Sequence, residues 1–244
     1  MSHTQLLGIV LTLAFVPFTA AADEESDARE IIQRAIKALG GEEEIVKFSS
    51  MTWKSRGVYH TANGDTPYSA TYAVQWPDKF RFEMEGRFTM VVNGDRGWII
   101  LGGNPNEIPP EQLVEQKHTV YAGVVSRLVS LKDKEYTLTT AAESKVLDRP
   151  AIAVRVSRKE RPDVTLYFDK ESHLLVKRER RAKPIDLGGM EVTIEDFYSD
   201  YKEVDGFKFA GRVDTKRDGK PLVDAEMFDA KAADKLDAKL FEKD

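Results

Sequence analysis

The order of apolar and polar positions divides the chain into three kinds of segment. From Leu6 to Phe18 nearly every residue is apolar. Then Ile31, Ile32, Ala35, Ile36 and Leu39 recur at helical spacing, with acids ahead of them and Gly40-Gly41 behind. That pattern predicts a helix over about Ser26–Leu39, and a short helical turn is expected over Glu42–Phe48. Beyond it the period falls from 3.6 to 2. Lys79-Phe80-Arg81-Phe82-Glu83-Met84-Glu85 alternates charged and apolar residues without a break, as a strand with one wet face does. Just before it Tyr68, Ala70, Tyr72, Val74 and Trp76 alternate with Ser69, Thr71, Ala73 and Gln75.

Asn93-Gly94, set between Arg87–Val92 and Gly97–Leu101, predicts a tight hairpin. Asn63-Gly64, Asp205-Gly206 and Asp218-Gly219 mark three further turns. Other strands are expected at Thr52–His60, Tyr136–Thr140, Ala151–Arg158, Val164–Asp169, Leu174–Arg181, Glu191–Tyr198, Lys208–Thr215 and Leu222–Phe228. Short connections make antiparallel neighbours, so a long meander is expected. One helix interrupts it. Pro109-Pro110 suits a first turn, and Leu113, Val114, Lys117, Val120, Tyr121, Val124, Val125, Leu128 and Val129 follow at steps of three and four.

Strands far outnumber helices, so two helices cannot carpet the apolar face of a flat sheet. The expected fold is mainly β (α+β): a curved antiparallel sheet forming an unclosed barrel, lidded or plugged by helices on its concave side. No linker rich in Pro, Gly or Ser divides it, so residues 23–244 are read as one domain.

Charge changes the picture at the N-terminus. Residues 1–22 contain no Lys, Arg, Asp or Glu, and Ala20-Ala21-Ala22 offers small residues for cleavage. A secretory signal peptide over residues 1–22 is expected, with an uncleaved membrane anchor as the alternative; the apolar run falls short of the ~20 residues a spanning helix needs. The destination is then periplasmic or secreted, and the mature chain soluble. Over all 244 residues, 36 Lys and Arg against 41 Asp and Glu give a net charge of −5, which argues against generic nucleic-acid binding. With no cysteine there is no disulfide, no thiolate nucleophile and no thioether lipid anchor.

Catalytic motifs are missing too. No G-x-S-x-G, H-E-x-x-H or Walker A pattern occurs, and His60, His118 and His173 lie far apart. Glu115-x-x-His118 is half of a carboxylate di-metal motif without its second copy. A protein without catalysis, cofactor or metal is expected.

The first half of the sheet is rich in aromatic and methionine residues. Trp53, Tyr72, Val74, Trp76, Phe80, Phe82, Met84, Phe88, Met90 and Trp98 can fill a core or line a pocket for an acyl chain. The shortage of covering helices makes them the candidate cavity wall, with Leu113, Tyr121, Val124 and Leu128 of the mid-chain helix as lid. The densest basic stretch contains Arg178, Arg180 and Arg181. It is either a contact for an anionic headgroup, membrane or envelope protein, or a strand edge kept soluble by charge.

Several segments together resemble the LolA/LolB-like lipoprotein carrier superfamily, in particular its outer membrane lipoprotein-sorting branch. They are Ala38-Leu39-Gly40-Gly41, Trp76-Pro77-Asp78-Lys79-Phe80-Arg81-Phe82-Glu83, Val92-Asn93-Gly94-Asp95-Arg96-Gly97-Trp98, Tyr167-Phe168-Asp169 and Leu240-Phe241-Glu242-Lys243. The resemblance implies an unclosed barrel whose apolar concave side, lidded by helices, accepts acyl chains. It implies a carrier with a lipid or lipoprotein acyl chain as partner, and a monomer is expected. An envelope sensor or protein-interaction module is the alternative, since one fold hosts several functions.

Overall fold

The computed structural model describes residues 19–62 and 64–243, so the expected signal peptide lies outside the described residues up to position 18. The first helix, α1 (Thr19–Ala38), begins ahead of Ser26. The alanines that read as a cleavage site are also the strongest helix formers. Its apolar stripe, Ala28, Ile31, Ile32, Ala35, Ile36 and Leu39, is buried. Gly40 ends it at φ +126°, where a Cβ would lie 2.5 Å from the Gly206 carbonyl oxygen. A short helix, α2 (Glu42–Lys47), follows.

Six strands come next: β1 (Ser50–Thr61), β2 (Gly64–Gln75), β3 (Lys79–Met84), β4 (Phe88–Asn93), β5 (Arg96–Leu101) and β6 (Asn104–Glu107). Then α3 (Pro110–Ser126) leads to β7 (Tyr136–Val146), β8 (Arg149–Arg158), β9 (Val164–Asp169), β10 (Leu175–Ala182) and β11 (Val192–Ser199). A small hairpin, β12 (Lys202–Val204) and β13 (Phe207–Phe209), precedes β14 (Arg212–Arg217) and β15 (Lys220–Ala233).

Thirteen strands form one curved, unclosed antiparallel sheet in the order β6-β5-β4-β3-β2-β1-β15-β14-β11-β10-β9-β8-β7. The single meander expected from the turns is therefore two meanders, joined where β1 pairs with β15, and α3 carries the chain from one edge to the other. The strand expected over Lys208–Thr215 is split at Ala210-Gly211, and β13 pairs with β12 outside the main sheet. This hairpin rests on the end of α1, with Lys208 N–H donating to Leu39 O at 2.7 Å. A side chain at Gly40 would prevent that approach.

The curvature follows from one contact pattern. Along the sheet, β4 and β10 are seven strand spacings apart, about 34 Å at ~4.8 Å each. Yet α3 touches β4, β9 and β10. A helix ~10 Å wide reaches all three only if the sheet curls around it. The face toward α3 is the inner face. On it, α1 packs against Leu138, Val154, Val156, Leu166 and Phe168 to make the main core. On the outer face, the C-terminal turn Ala238–Phe241 covers Ala73, Val91 and Trp98. None of the described helices is long and apolar enough to cross a membrane.

Candidate functional site

Cross-strand register sets the inner wall. Trp53 lies opposite Tyr72, Tyr72 opposite Phe82, and Phe82 opposite Met90. Side chains directly opposite share a face, and alternation puts Val74, Phe80, Met84 and Phe88 with them. The rings touch: Trp53 stacks on Tyr72 at 4.8 Å, Tyr72 meets Phe82 at 5.0 Å, and Phe82 meets Phe88 edge-on at 5.6 Å. Val74 is buried, whereas Trp53, Tyr72, Phe80, Phe82, Met84, Phe88 and Met90 are each only half-buried. An inner-face sheet of large apolar side chains is thus left partly uncovered. Phe209 of the β12–β13 hairpin leans on Trp53 at 5.8 Å. The Trp53 indole N–H is buried without an acceptor.

Trp98 is not part of this wall. It opposes Val91 on β4, so it points to the outer face, where Phe241 packs over it. The run Gly97-Trp98-Ile99-Ile100 is apolar on both faces, so alternation could not orient it. Trp76 stays on the inner side of the β2 end but is capped by Arg127, whose guanidinium lies 3.9 Å over the indole. Arg127 also donates to the Ile45 and Phe48 carbonyls, at 2.5 and 2.8 Å. Burial pushes its pKa down to about 10.

The lid residues divide. Leu113 packs against Val92 and Ile108 beside Phe80 and Met90. Tyr121 turns toward α1 and the main core, and Val124 is half-buried. Leu128 lies beyond the end of α3, at φ +68° and fully buried.

The basic strand holds the largest surprise. Arg178 and Arg180 are not a surface contact, because β10 turns both to the inner face. Arg178 donates to Asp196 at 2.7 Å and to Ser126 Oγ on α3 at 3.1 Å. Thr215 Oγ1 donates to the other Asp196 oxygen at 2.8 Å. Burial alone would lower the Arg178 pKa, but Tyr198 and Asp196 around it raise it instead. Burial also holds the Tyr198 hydroxyl far above its ordinary pKa. Arg180 donates to Glu115 and to Thr119 Oγ1, both at 2.9 Å. Only Arg181 faces solvent, paired with Glu191. Five consecutive charged residues conceal the two-residue period, and the inward partners come from distant segments, so sequence alone could not separate these arginines.

Glu115 is occupied by Arg180 and by the Lys183 N–H, and burial lowers the His118 pKa beside it. Among the described residues no group of three His, Asp or Glu converges as a metal site. A cleft of about 580 Å³ lies along the outer flank of α3, between Glu111–His118 and Arg181–Glu191. A smaller one, about 90 Å³, lies between α3 and the rims of β4–β5 and β8–β9.

No family model matches the chain, and no curated protein matches it in sequence. Solved structures do match. A LolA superfamily protein, NE2245 from Nitrosomonas europaea, superposes with a TM-score of 0.59 at 12% identity, covering 88% of this chain and 97% of that one. A DUF1329 family protein from Desulfovibrio piger gives 0.61 at 10% identity, with the same coverage of 88% and 97%. A putative outer membrane lipoprotein-sorting protein domain from Vibrio parahaemolyticus gives 0.59 at 11% identity, over 91% and 97%. The chain has a LolA-like fold.

Proposed function

We propose that this protein is an exported, non-enzymatic carrier that holds a lipid or lipoprotein acyl chain against the inner face of its half-barrel. The observation that carries this reading is the half-buried wall of Trp53, Tyr72, Phe82, Met84, Phe88 and Met90. Large apolar side chains in contact with one another gain from any further burial, at ~0.8 kcal/mol for each methylene of a chain laid over them. Eight sequestered methylenes contribute roughly 6 kcal/mol before ordering costs. The buried Trp53 indole N–H adds a donor for an acyl carbonyl. Binding is passive, and release follows movement of the covering elements, α3 and the β12–β13 hairpin. A surface-contact role for the basic strand loses its ground, since Arg178 and Arg180 point inward.

The test is extraction. The protein purified from its native envelope is treated with organic solvent, and the extract is analysed by mass spectrometry. A stoichiometric acyl-bearing species is the expected result. An empty extract, with no uptake of a fluorescent fatty acid, overturns the proposal.

A further inference from the structure

The 90 Å³ cleft lies at one rim of the half-barrel, where the β4–β5 turn and the β8–β9 turn face each other across α3. Its walls carry three cations, Lys117, Arg158 and Arg161, against a single carboxylate, Asp78. Asp78 sits at the Gly94 side, 3.6 Å from where a Gly94 Cβ would stand.

Two of the cations, Arg158 and Arg161, lie over aromatic rings. Tyr121 and Tyr136 lie nearly parallel, centroids 6.5 Å apart. The Arg161 guanidinium lies 5.5 Å over the Tyr121 ring, and that of Arg158 lies 5.2 Å over Tyr136. Arg158 is balanced by Glu135 and also donates to the Tyr136 hydroxyl at 3.3 Å, and Lys117 is balanced by Asp95 at 2.5 Å. Arg161 is different. The nearby Asp163 is held by Arg155, and among the described residues Arg161 makes no ion pair.

A second observation points the same way. Tyr121 is 5% exposed, and its hydroxyl is buried with no hydrogen-bond partner. Burial pushes its pKa up to about 12, against the pull of Arg158 and Arg161, so it remains a donor. A buried hydroxyl without a partner, on the ring that an unpaired guanidinium covers, is a donor set without its acceptor. At about 90 Å³ the cleft is small, and it has room for one compact anion. A guanidinium fork, a hydroxyl and an ammonium together suit a tetrahedral oxyanion.

We infer that this rim cleft binds a phosphoryl group, with Arg161 and the Tyr121 hydroxyl as its principal donors and Lys117 and Arg158 supplying the surrounding positive field. Inorganic phosphate and a phospholipid headgroup share this chemistry. Only the lipid source rests on the acyl-carrier reading, because phosphate itself brings no acyl chain.

The experiment is calorimetric titration of the full chain, wild type and variants, in constant chloride. Inorganic phosphate is the first probe, and dihexanoyl phosphatidic acid below its micelle concentration is the second. Saturable phosphate binding is expected, weakened at least about tenfold in Arg161→Gln and about three- to tenfold in Tyr121→Phe. Phosphatidic acid binding at least about tenfold tighter than phosphate identifies a lipid headgroup as the source. Equal affinities identify a free or soluble phosphoryl compound. Should Arg161→Gln not fold, Tyr121→Phe, which removes one oxygen, decides alone. Wild type binding neither probe, or folded variants binding phosphate as wild type does, overturns the inference. Loss of fatty-acid uptake with phosphate binding intact separates failure of the carrier reading from failure of this one.

Discussion

Arg180 Nη1 lies 2.9 Å from Glu115 Oε1, and this ion pair fastens β10 to the first half of α3. The two side chains are 8% and 13% exposed. Glu115 also accepts from the Lys183 N–H, and Arg180 also donates to Thr119, so each charge is further satisfied. Arg178 repeats the arrangement two residues earlier, toward Ser126 at the far end of the same helix. Two arginines on one strand thus hold a helix that is also packed by apolar contacts at Leu113, Val120, Tyr121, Ala122 and Val125.

Removing one partner leaves the other charged and buried. Arg180→Ala is expected to destabilise the fold by about 3–5 kcal/mol, measured by urea denaturation. Arg180→Met combined with Glu115→Leu should recover most of that loss, since neither charge then remains in the interior. A double variant as unstable as the single one would show that the pair's geometry, not its uncompensated charge, is what matters.

The outer face makes a separate prediction. Phe241 is 1% exposed and lies over Trp98, with Asn93 Nδ2 donating to its carbonyl at 3.1 Å. Phe241→Ala should cost about 3–5 kcal/mol. Fatty-acid uptake per folded molecule should be unchanged, because the removed ring is on the side away from the inner wall. Reduced affinity in the folded fraction would place Trp98 and its surroundings in the binding site after all.

How far the sequence could be read depends on whether a segment's own pattern orients it. Lys79–Glu85 alternates cleanly, so the inward direction of Phe80, Phe82 and Met84 was legible. Gly97–Leu101 is apolar on both sides, and the Trp98 assignment failed there. The β12–β13 hairpin consists of strands of three residues, too short to carry a period, although its Asp205-Gly206 turn was visible. β6 is an exposed polar tetrad that exists only because β5 offers it an edge. The β1–β15 pairing, which turns two meanders into one sheet, joins residues such as Tyr59 and Val223 and leaves no local mark. The rim cleft is a meeting of five separate segments; the helix and the Asn93-Gly94 hairpin are legible locally, but their approach to Tyr136, Arg158 and Arg161 leaves no local mark.

His60 supplies a pH dependence. Its Nδ1 lies 2.8 Å from Asp65 and its Nε2 3.2 Å from Asp224, and only the doubly protonated ring donates to both. Hydrogen bonds to Asp65 and Asp224 raise its pKa above the ordinary 6.5. A raised histidine stabilises the fold fully below the unfolded-state value and loses that contribution as pH rises through the folded one. Wild type should therefore exceed His60→Gln in Tm at pH 5, and the gap should close above neutrality. A gap that widens with pH would mean the neutral ring is the stabilising form.

The inner wall is tested most directly at Phe82. Its ring sits between Tyr72 at 5.0 Å and Phe88 at 5.6 Å, in the middle of the half-buried surface. Phe82→Glu places a carboxylate where an acyl chain would lie, and desolvating it by ligand contact costs several kcal/mol. The side chain is half-buried, so the variant retains solvent access for the charge and should fold. Fatty-acid affinity should fall by at least about tenfold, while Phe82→Leu, which keeps an apolar surface, should lose less than about threefold. Phosphate binding at the rim cleft should be unaffected by either, because Phe82 lines no part of it. Unchanged fatty-acid affinity in a folded Phe82→Glu protein would mean the chain does not lie along this wall.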